Sequence, residues 1–123
     1  MADTEKFKQA ITSGYDCKGD YIVLGAAMLD GAPVDGALVK VPLKTLNRHG
    51  LIAGATGTGK TKTLQGLAEQ LSEKGVSVLV MDIKGDFSGI AMPGTANPKI
   101  EERHAKIGIP WEPKGRPVEF LTL

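Results

Sequence analysis

The sequence has few of the features that mark whole classes of protein. Its single cysteine, Cys17, cannot form a disulfide within the chain, so a reduced cytoplasm is expected rather than an oxidising compartment. No apolar run approaches the roughly 20 residues that a membrane-spanning helix needs, and the first ten residues are too charged for a secretory signal. A net charge of only +1 excludes a broad positive field that would attract nucleic acid. These absences predict a soluble cytoplasmic protein with no membrane partner.

Glycine, in contrast, is abundant. The 16 glycines among 123 residues indicate many tight turns or close backbone approaches. Apolar residues make up 41% and charged residues 24%, which is ordinary for a globular protein and excludes wholesale disorder.

The first third of the chain predicts a short helix and a β-hairpin. Residues 4–13 place apolar side chains at helical spacing and end before a glycine. Two β-type runs follow, at 21–28 and 37–43, separated by residues 29–36 with two Asp-Gly pairs that favour a turn. We treat residues 1–45 as an N-terminal region of this kind.

The next segment has the pattern of a strand, a loop, a helix and a second strand. Residues 51–53 form a short apolar run, and apolar residues at helical spacing over 64–71 are followed by Gly75 as a C-terminal cap. The run 76–81 is almost continuously apolar and β-branched, as in a strand buried on both faces of a parallel sheet. The sequence thus predicts an α/β fold, with a partial P-loop NTPase core of parallel sheet and flanking helices over residues 46–123.

The remainder predicts one more helix and the beginning of a strand. Asn97 can cap a helix that Gly108 ends. Residues 118–123 have the composition of a strand, and the sequence stops within it. We therefore expect a truncated fragment of a longer protein.

The glycine-rich segment between the first strand and the helix matches the P-loop pattern. Gly54, Gly57 and Gly59 are expected to adopt positive φ and to turn backbone N–H groups toward an anion. Lys60 supplies a charge to the β- and γ-phosphates of ATP and Thr61 a hydroxyl to Mg²⁺. The predicted nucleotide-binding residues are Gly54, Ala55, Thr56, Gly57, Thr58, Gly59, Lys60, Thr61 and Lys62.

Asp82 follows the second predicted strand, at the sheet edge where ligands bind in open α/β proteins. Three interpretations stay open. The carboxylate orients Mg²⁺, or it positions the water that attacks the nucleotide, or it caps the turn formed by residues 83–86. From the first two interpretations, the predicted metal-binding residues are Thr61 and Asp82, and the predicted catalytic residues are Lys60 and Asp82.

The run Asn47–Thr61, followed by Val80–Asp86, resembles the HerA/FtsK superfamily of P-loop ATPases, and within it the bacterial HerA-like proteins of the YjgR type, whose function is poorly defined. Asp86 stands where many relatives have glutamate. The resemblance implies ATP hydrolysis, and a hexameric ring that moves DNA in the longer relatives. It also implies a later strand with an acidic pair and an arginine finger, neither of which this sequence contains.

Two functions of different class remain. The chain is the N-terminal part of a HerA-like ATPase that binds Mg-ATP with little turnover of its own, or it is a nucleotide-responsive module that assembles into oligomers without turnover. A complete small kinase is disfavoured, because the sequence contains no lid with arginines and only three arginines in all.

Overall fold

The computed structural model describes residues 2–122, and the side chain of Ala2 is outside this description. It contains a helix, a β-hairpin and then two more helices. These are α1 Ala2–Gly14, β1 Tyr21–Leu29, β2 Ala32–Pro42, α2 Lys60–Glu73 and α3 Pro98–Ile107. Two single turns of 3-10 helix lie at Leu43–Thr45 and Ser88–Ala91.

The described residues divide into two compact units. The first unit contains the chain up to His49 together with Ala96–Trp111. The second contains Gly50–Thr95 together with the chain from Glu112 onward.

The hairpin of the first unit is set by an Asp-Gly turn. Tyr21 pairs with Pro42 and Leu29 with Ala32, so the connection is only two residues long. Both turn residues have positive φ, +50° at Asp30 and +79° at Gly31, as a type I′ turn requires. The predicted turn over residues 29–36 is therefore too long, because its second half belongs to β2. The register shifts between Val23 and Gly25 and again between Ala26 and Met28.

The core of the first unit lies under the hairpin. Ile22, Val34 and Ala37 are its buried apolar residues, and α1 packs mainly against β2. Helix α3 approaches the same sheet so closely that a Cβ at Gly108 would lie 2.5 Å from Leu38 Cδ2.

Both ends of α3 lie where the sequence predicts them. The Asn97 side chain accepts a hydrogen bond from the Lys99 N–H at 2.9 Å, and Pro98 occupies the first turn. Gly108 ends the helix with φ of +72°. His104 Nδ1 and the Ile109 carbonyl oxygen are 2.9 Å apart just beyond this end, and since a carbonyl only accepts, Nδ1 carries the proton.

The prediction of a parallel-sheet core is wrong. The one sheet among the described residues is the two-stranded antiparallel hairpin, and neither 51–53 nor 76–81 is a strand. Leu51 is 89% exposed and Leu79 85%. These runs have strand composition, but a strand also needs partners for its backbone N–H and C=O groups, and no described segment pairs with them. Residues 118–122 form no strand either, and Leu123 lies outside the described residues.

The second unit is built around α2. Ala68 of this helix and Phe87 are buried. The helix ends as the sequence predicts, because Gly75 has φ of +76° and the Val76 N–H donates to the Leu71 carbonyl at 3.0 Å.

The segment after Glu112 is attached to this unit by its backbone and by ion pairs from Lys114 and Arg116 to Glu73, of which the Lys114 pair is the longer at 3.9 Å. The Arg116 N–H donates to the Ile90 carbonyl at 3.0 Å, and the Arg116 guanidinium lies 2.7 Å from the Glu73 carboxylate. A Cβ at Gly115 would lie 2.6 Å from the Ala91 carbonyl oxygen, so this approach requires glycine. Across the described residues, no helix combines the length and hydropathy needed to cross a bilayer.

Candidate phosphate-binding site

The loop before α2 depends on glycine at two positions. Backbone φ is +79° at Gly57 and +99° at Gly59, a region that costs other residues about 1 to 2 kcal/mol. Helix α2 begins at the next residue, Lys60, with Gly59 as its N-cap. The glycines therefore let the loop turn directly into the helix.

Gly54 is needed for a different reason from the one predicted. Its φ is outside the positive region, so the expectation of positive φ is wrong at this position. A Cβ on Gly54 would lie 2.6 Å from Thr58 Oγ1. That hydroxyl is held in place because it donates to the Ala55 carbonyl at 2.7 Å. Gly54 thus allows the loop to fold tightly on itself.

Lys60 is turned back over the loop. Its Nζ donates to the Ala55 carbonyl at 2.7 Å, the same oxygen that accepts from Thr58. The side chain is half-buried, so the ammonium group is held close to the backbone of the loop. A phosphate oxygen carries more negative charge than a carbonyl oxygen, and the exchange of one for the other strengthens the bond to Nζ.

The start of α2 is unusually favourable for an anion. Helices α1 and α3 have acidic residues in their first turns, which offset the positive end of the helix dipole. The first turn of α2 has none and contains Lys60 and Lys62 instead. The first N–H groups of a helix also lack partners within it, and together with the dipole they attract phosphate. Thr61 and Lys62 are exposed here.

Asp82 organises the turn that follows it. One carboxylate oxygen accepts from the Gly85 N–H at 3.0 Å and the other from the Phe87 N–H at 2.8 Å. The Phe87 N–H, more than any other group, lowers the pKa of Asp82 below its ordinary value. This is the geometry of the turn-capping interpretation. A carboxylate has about four acceptor positions, so the cap leaves room for a water or a metal-bound water.

Thr61 and Asp82 meet in one open cleft of about 250 Å³ within the second unit. Lys60 does not line it, since its ammonium group is turned toward the loop. The cleft is lined by Thr61, Leu64, Val80, Met81, Asp82, Ile83, Lys84, Asp86 and Phe87.

The side chains that line this cleft suit Mg²⁺ better than a metal ion whose ligands are all protein side chains. Among residues 2–122, no three His, Cys, Asp or Glu side chains are grouped as a metal site. Mg²⁺ is commonly bound by one or two protein oxygens, waters and substrate phosphates, and a hydroxyl and a carboxylate that line one cleft fit that pattern.

Sequence reasoning missed Gln65, which joins the helix to the Asp82 turn. Its Nε2 donates to the Asp86 carbonyl at 3.2 Å. The available signal was spacing, because Gln65 follows Thr61 by four residues and so lies on the same side of α2.

The chain belongs to the HerA-like helicase family. Residues 28–123 match the family model "Helicase HerA-like C-terminal", which is well over half of the chain. No solved structure shows significant similarity to it.

Three curated relatives are all described as the DNA double-strand break repair helicase HerA. That of Sulfolobus acidocaldarius is 40% identical over 87 residues, covering 69% of this chain and 16% of the relative. That of Saccharolobus solfataricus is 41% identical over 49 residues, covering 40% of this chain and 10% of the relative. That of Sulfurisphaera tokodaii is 39% identical over 64 residues, covering 50% of this chain and 13% of the relative. The chain thus spans less than a fifth of the length of these relatives.

Proposed function

We propose that the loop Gly54–Thr61 binds the phosphates of a nucleoside triphosphate, ATP by preference, and that the chain is the nucleotide-binding part of a HerA-like ATPase. The observation that carries this proposal is the position of Lys60. Its ammonium group lies over a glycine-dependent loop that leads into a helix start free of acidic residues. Family membership supports the same function.

Each residue has a separate role in this proposal. Lys60 exchanges the Ala55 carbonyl for oxygens of the β- and γ-phosphates, which neutralises charge that develops during phosphoryl transfer. The N–H groups at the start of α2 hold the remaining phosphate oxygens. Thr61 and Asp82, which line one cleft, would hold Mg²⁺. When bound, the metal supplies further neutralisation of phosphate charge.

The activity of the longer proteins is proposed for the parent and not for this chain alone. The relatives are described as DNA repair helicases, which supports a DNA-translocating motor as the function of the parent protein. The hexameric ring and the cytoplasmic location stay predictions from the sequence. The acidic pair and arginine finger that the resemblance places further along are outside this sequence. We therefore expect nucleotide binding with little turnover. The YjgR-type assignment within the family stays a prediction from the runs Asn47–Thr61 and Val80–Asp86.

Isothermal titration of the 123-residue chain with Mg-ATP tests the proposal. Removal of the ammonium group in Lys60→Ala is expected to weaken binding by about tenfold or more, because a hydrogen bond to a charged group contributes about 1.5 to 3 kcal/mol. Lys99→Ala is the matched control, since it removes the same charge from the first turn of α3. Equal affinities for wild type and Lys60→Ala would contradict the role of Lys60.

A second function is favoured by the exposed apolar side chains of the second unit. Leu51, Leu79, Met81 and Leu121 are each more than four-fifths exposed, and apolar surface of this kind marks contact sites. A module that assembles when nucleotide binds, without turnover, would use such a surface. Sedimentation velocity with and without Mg-ATP, together with a phosphate-release assay, separates this function from an ATPase.

A further inference from the structure

The strongest unassigned feature is the hydrogen bond between α2 and the Asp82 turn. Gln65 is half-buried on the helix, and its side-chain amide reaches across to the backbone of Asp86 at 3.2 Å. The Asp86 carbonyl only accepts, so the Gln65 Nε2 must be the donor. The bond joins two segments that are 21 residues apart in sequence.

The hydrogen bond from Gln65 reaches the middle of the turn that Asp82 caps. Asp86 lies between Gly85 and Phe87, the two residues whose N–H groups the Asp82 carboxylate accepts. Phe87 is buried and anchors the far side of the turn. A bond that fixes the Asp86 carbonyl therefore also limits the movement of the Asp82 carboxylate.

At its other end, the contact starts on helix α2 one turn after Thr61. Thr61 and Gln65 are one turn apart on α2, so the helix holds their separation nearly constant. Thr61 and Asp82 line the same cleft. The hydrogen bond from Gln65 thus ties the Asp82 turn to the helix that carries Thr61, and it limits the spacing between these two groups.

We propose that Gln65 is a positioning residue, which holds the Asp82 carboxylate beside the Thr61 hydroxyl so that the pair can share one magnesium ion with the bound triphosphate. The proposal rests on the nucleotide-binding function proposed above and adds a residue that touches neither the nucleotide nor the metal. Its effect is on the contribution of Mg²⁺ to ATP affinity and not on ATP affinity as such.

The test compares ATP affinity in Mg²⁺ with ATP affinity in EDTA for five forms of the 123-residue chain. They are wild type, Gln65→Met, Asp82→Asn, the double variant of these two, and Gln70→Met. Methionine keeps the length of glutamine without the amide donor. Gln70 is the matched control on the same helix, since its amide donates to the Gly66 carbonyl one turn earlier.

Gln65→Met is expected to reduce the stimulation of ATP binding by Mg²⁺ about two- to tenfold, the range of one hydrogen bond, and to leave affinity in EDTA unchanged. Gln70→Met is expected to behave as wild type. In the Asp82→Asn background, Gln65→Met is expected to have no further effect, because the carboxylate that it positions is gone.

The possible failures are distinct. If wild type does not bind ATP, or if Asp82→Asn leaves the Mg²⁺ stimulation intact, the function proposed for the site fails, and the role of Gln65 fails with it. If Asp82→Asn abolishes the stimulation and Gln65→Met does not reduce it, only the inference about Gln65 is overturned.

A second measurement needs no nucleotide. Amide hydrogen exchange at Gly85 and Phe87 should be faster in Gln65→Met than in Gln70→Met. Unchanged exchange at both amides would likewise overturn it.

Discussion

At the scale of single residues, the Asp82 carboxylate holds together the turn that follows it. Both of its oxygens accept backbone N–H groups, from Gly85 and Phe87. These bonds favour the charged form of the carboxyl, and the pKa of Asp82 is lowered as a result. The carboxyl is therefore charged at neutral pH, as the proposed contact with Mg²⁺ requires.

The lowered pKa of Asp82 predicts a pH dependence of stability. A carboxyl with a lower pKa in the folded chain than in the unfolded chain stabilises the fold above its unfolded value, 3.8 here. That stabilisation is lost as the pH falls through the folded pKa. We expect the thermal unfolding midpoint of wild type to fall as the pH is lowered below about 3.8. The midpoint of Asp82→Asn should fall less, with both measured in the absence of metal and nucleotide.

Asp86→Asn is the control for this comparison, because it removes a carboxylate from the same turn. It should retain the steeper fall of the wild type. Parallel curves for wild type and Asp82→Asn would show that the two N–H bonds to Asp82 contribute nothing to the folded state.

At the scale of elements, two ion pairs of nearly equal length differ in what they hold together. Lys106 and Glu102 are 2.6 Å apart on the surface of α3, with exposed fractions of 60% and 65%. Arg116 and Glu73 are 2.7 Å apart and join α2 to the segment after Glu112, and the Arg116 side chain is only 10% exposed. Burial, and not distance, decides which pair matters.

We expect Glu73→Gln to destabilise the chain and Glu102→Gln to have little effect. Loss of one partner from a fully buried pair costs about 3 to 5 kcal/mol. Because Glu73 is itself 41% exposed, we expect about 1 to 2 kcal/mol after allowance for screening by solvent. An exposed helical pair such as Glu102 with Lys106 contributes about 0.3 to 0.5 kcal/mol.

Urea unfolding of the two variants provides the comparison, monitored by far-UV circular dichroism. The two substitutions are chemically identical, so their difference reports the surroundings of each glutamate. A Glu102→Gln variant that is destabilised as much as Glu73→Gln would mean that the partial burial of Arg116 is unimportant. The Arg116 Nε is buried and finds no partner among the described residues, so the contact of Nη1 with Glu73 matters more for offsetting the burial of the guanidinium.

At the scale of the whole molecule, the two units are organised differently. The first has a hairpin with its own buried residues, Ile22, Val34 and Ala37. The second has α2 and long irregular segments, with Ala68 and Phe87 buried. Its large apolar side chains are mostly on the surface, including Ile83, which is fully exposed.

This contrast predicts a difference in amide hydrogen exchange. Amides paired between β1 and β2 should exchange slowly, and those of residues 77–81 quickly, because the latter form no ladder in the described structure. Mass spectrometry of peptides from 21–42 and 77–81 would measure both, with α2 as an internal reference. If the amides of 77–81 were as protected from exchange as those of the hairpin, they would have to be hydrogen-bonded, which would contradict the structure.

The local structure of this chain could be predicted from its sequence. The helix ends at Asn97, Gly108 and Gly75, the Asp30-Gly31 turn and the glycines at 57 and 59 all depend on backbone angles and on bonds spanning a few residues, which short patterns encode. Membership of the HerA-like family also follows from sequence.

The pairing of distant segments could not be predicted in this way and is seen in the folded chain alone. The runs at 51–53 and 76–81 have strand composition, but whether they pair depends on a partner that composition does not supply. The same holds for the contact of Gln65 with Asp86 and of Arg116 with Glu73, which join residues more than a dozen positions apart. Such contacts depend on how the chain closes on itself, which no local pattern specifies.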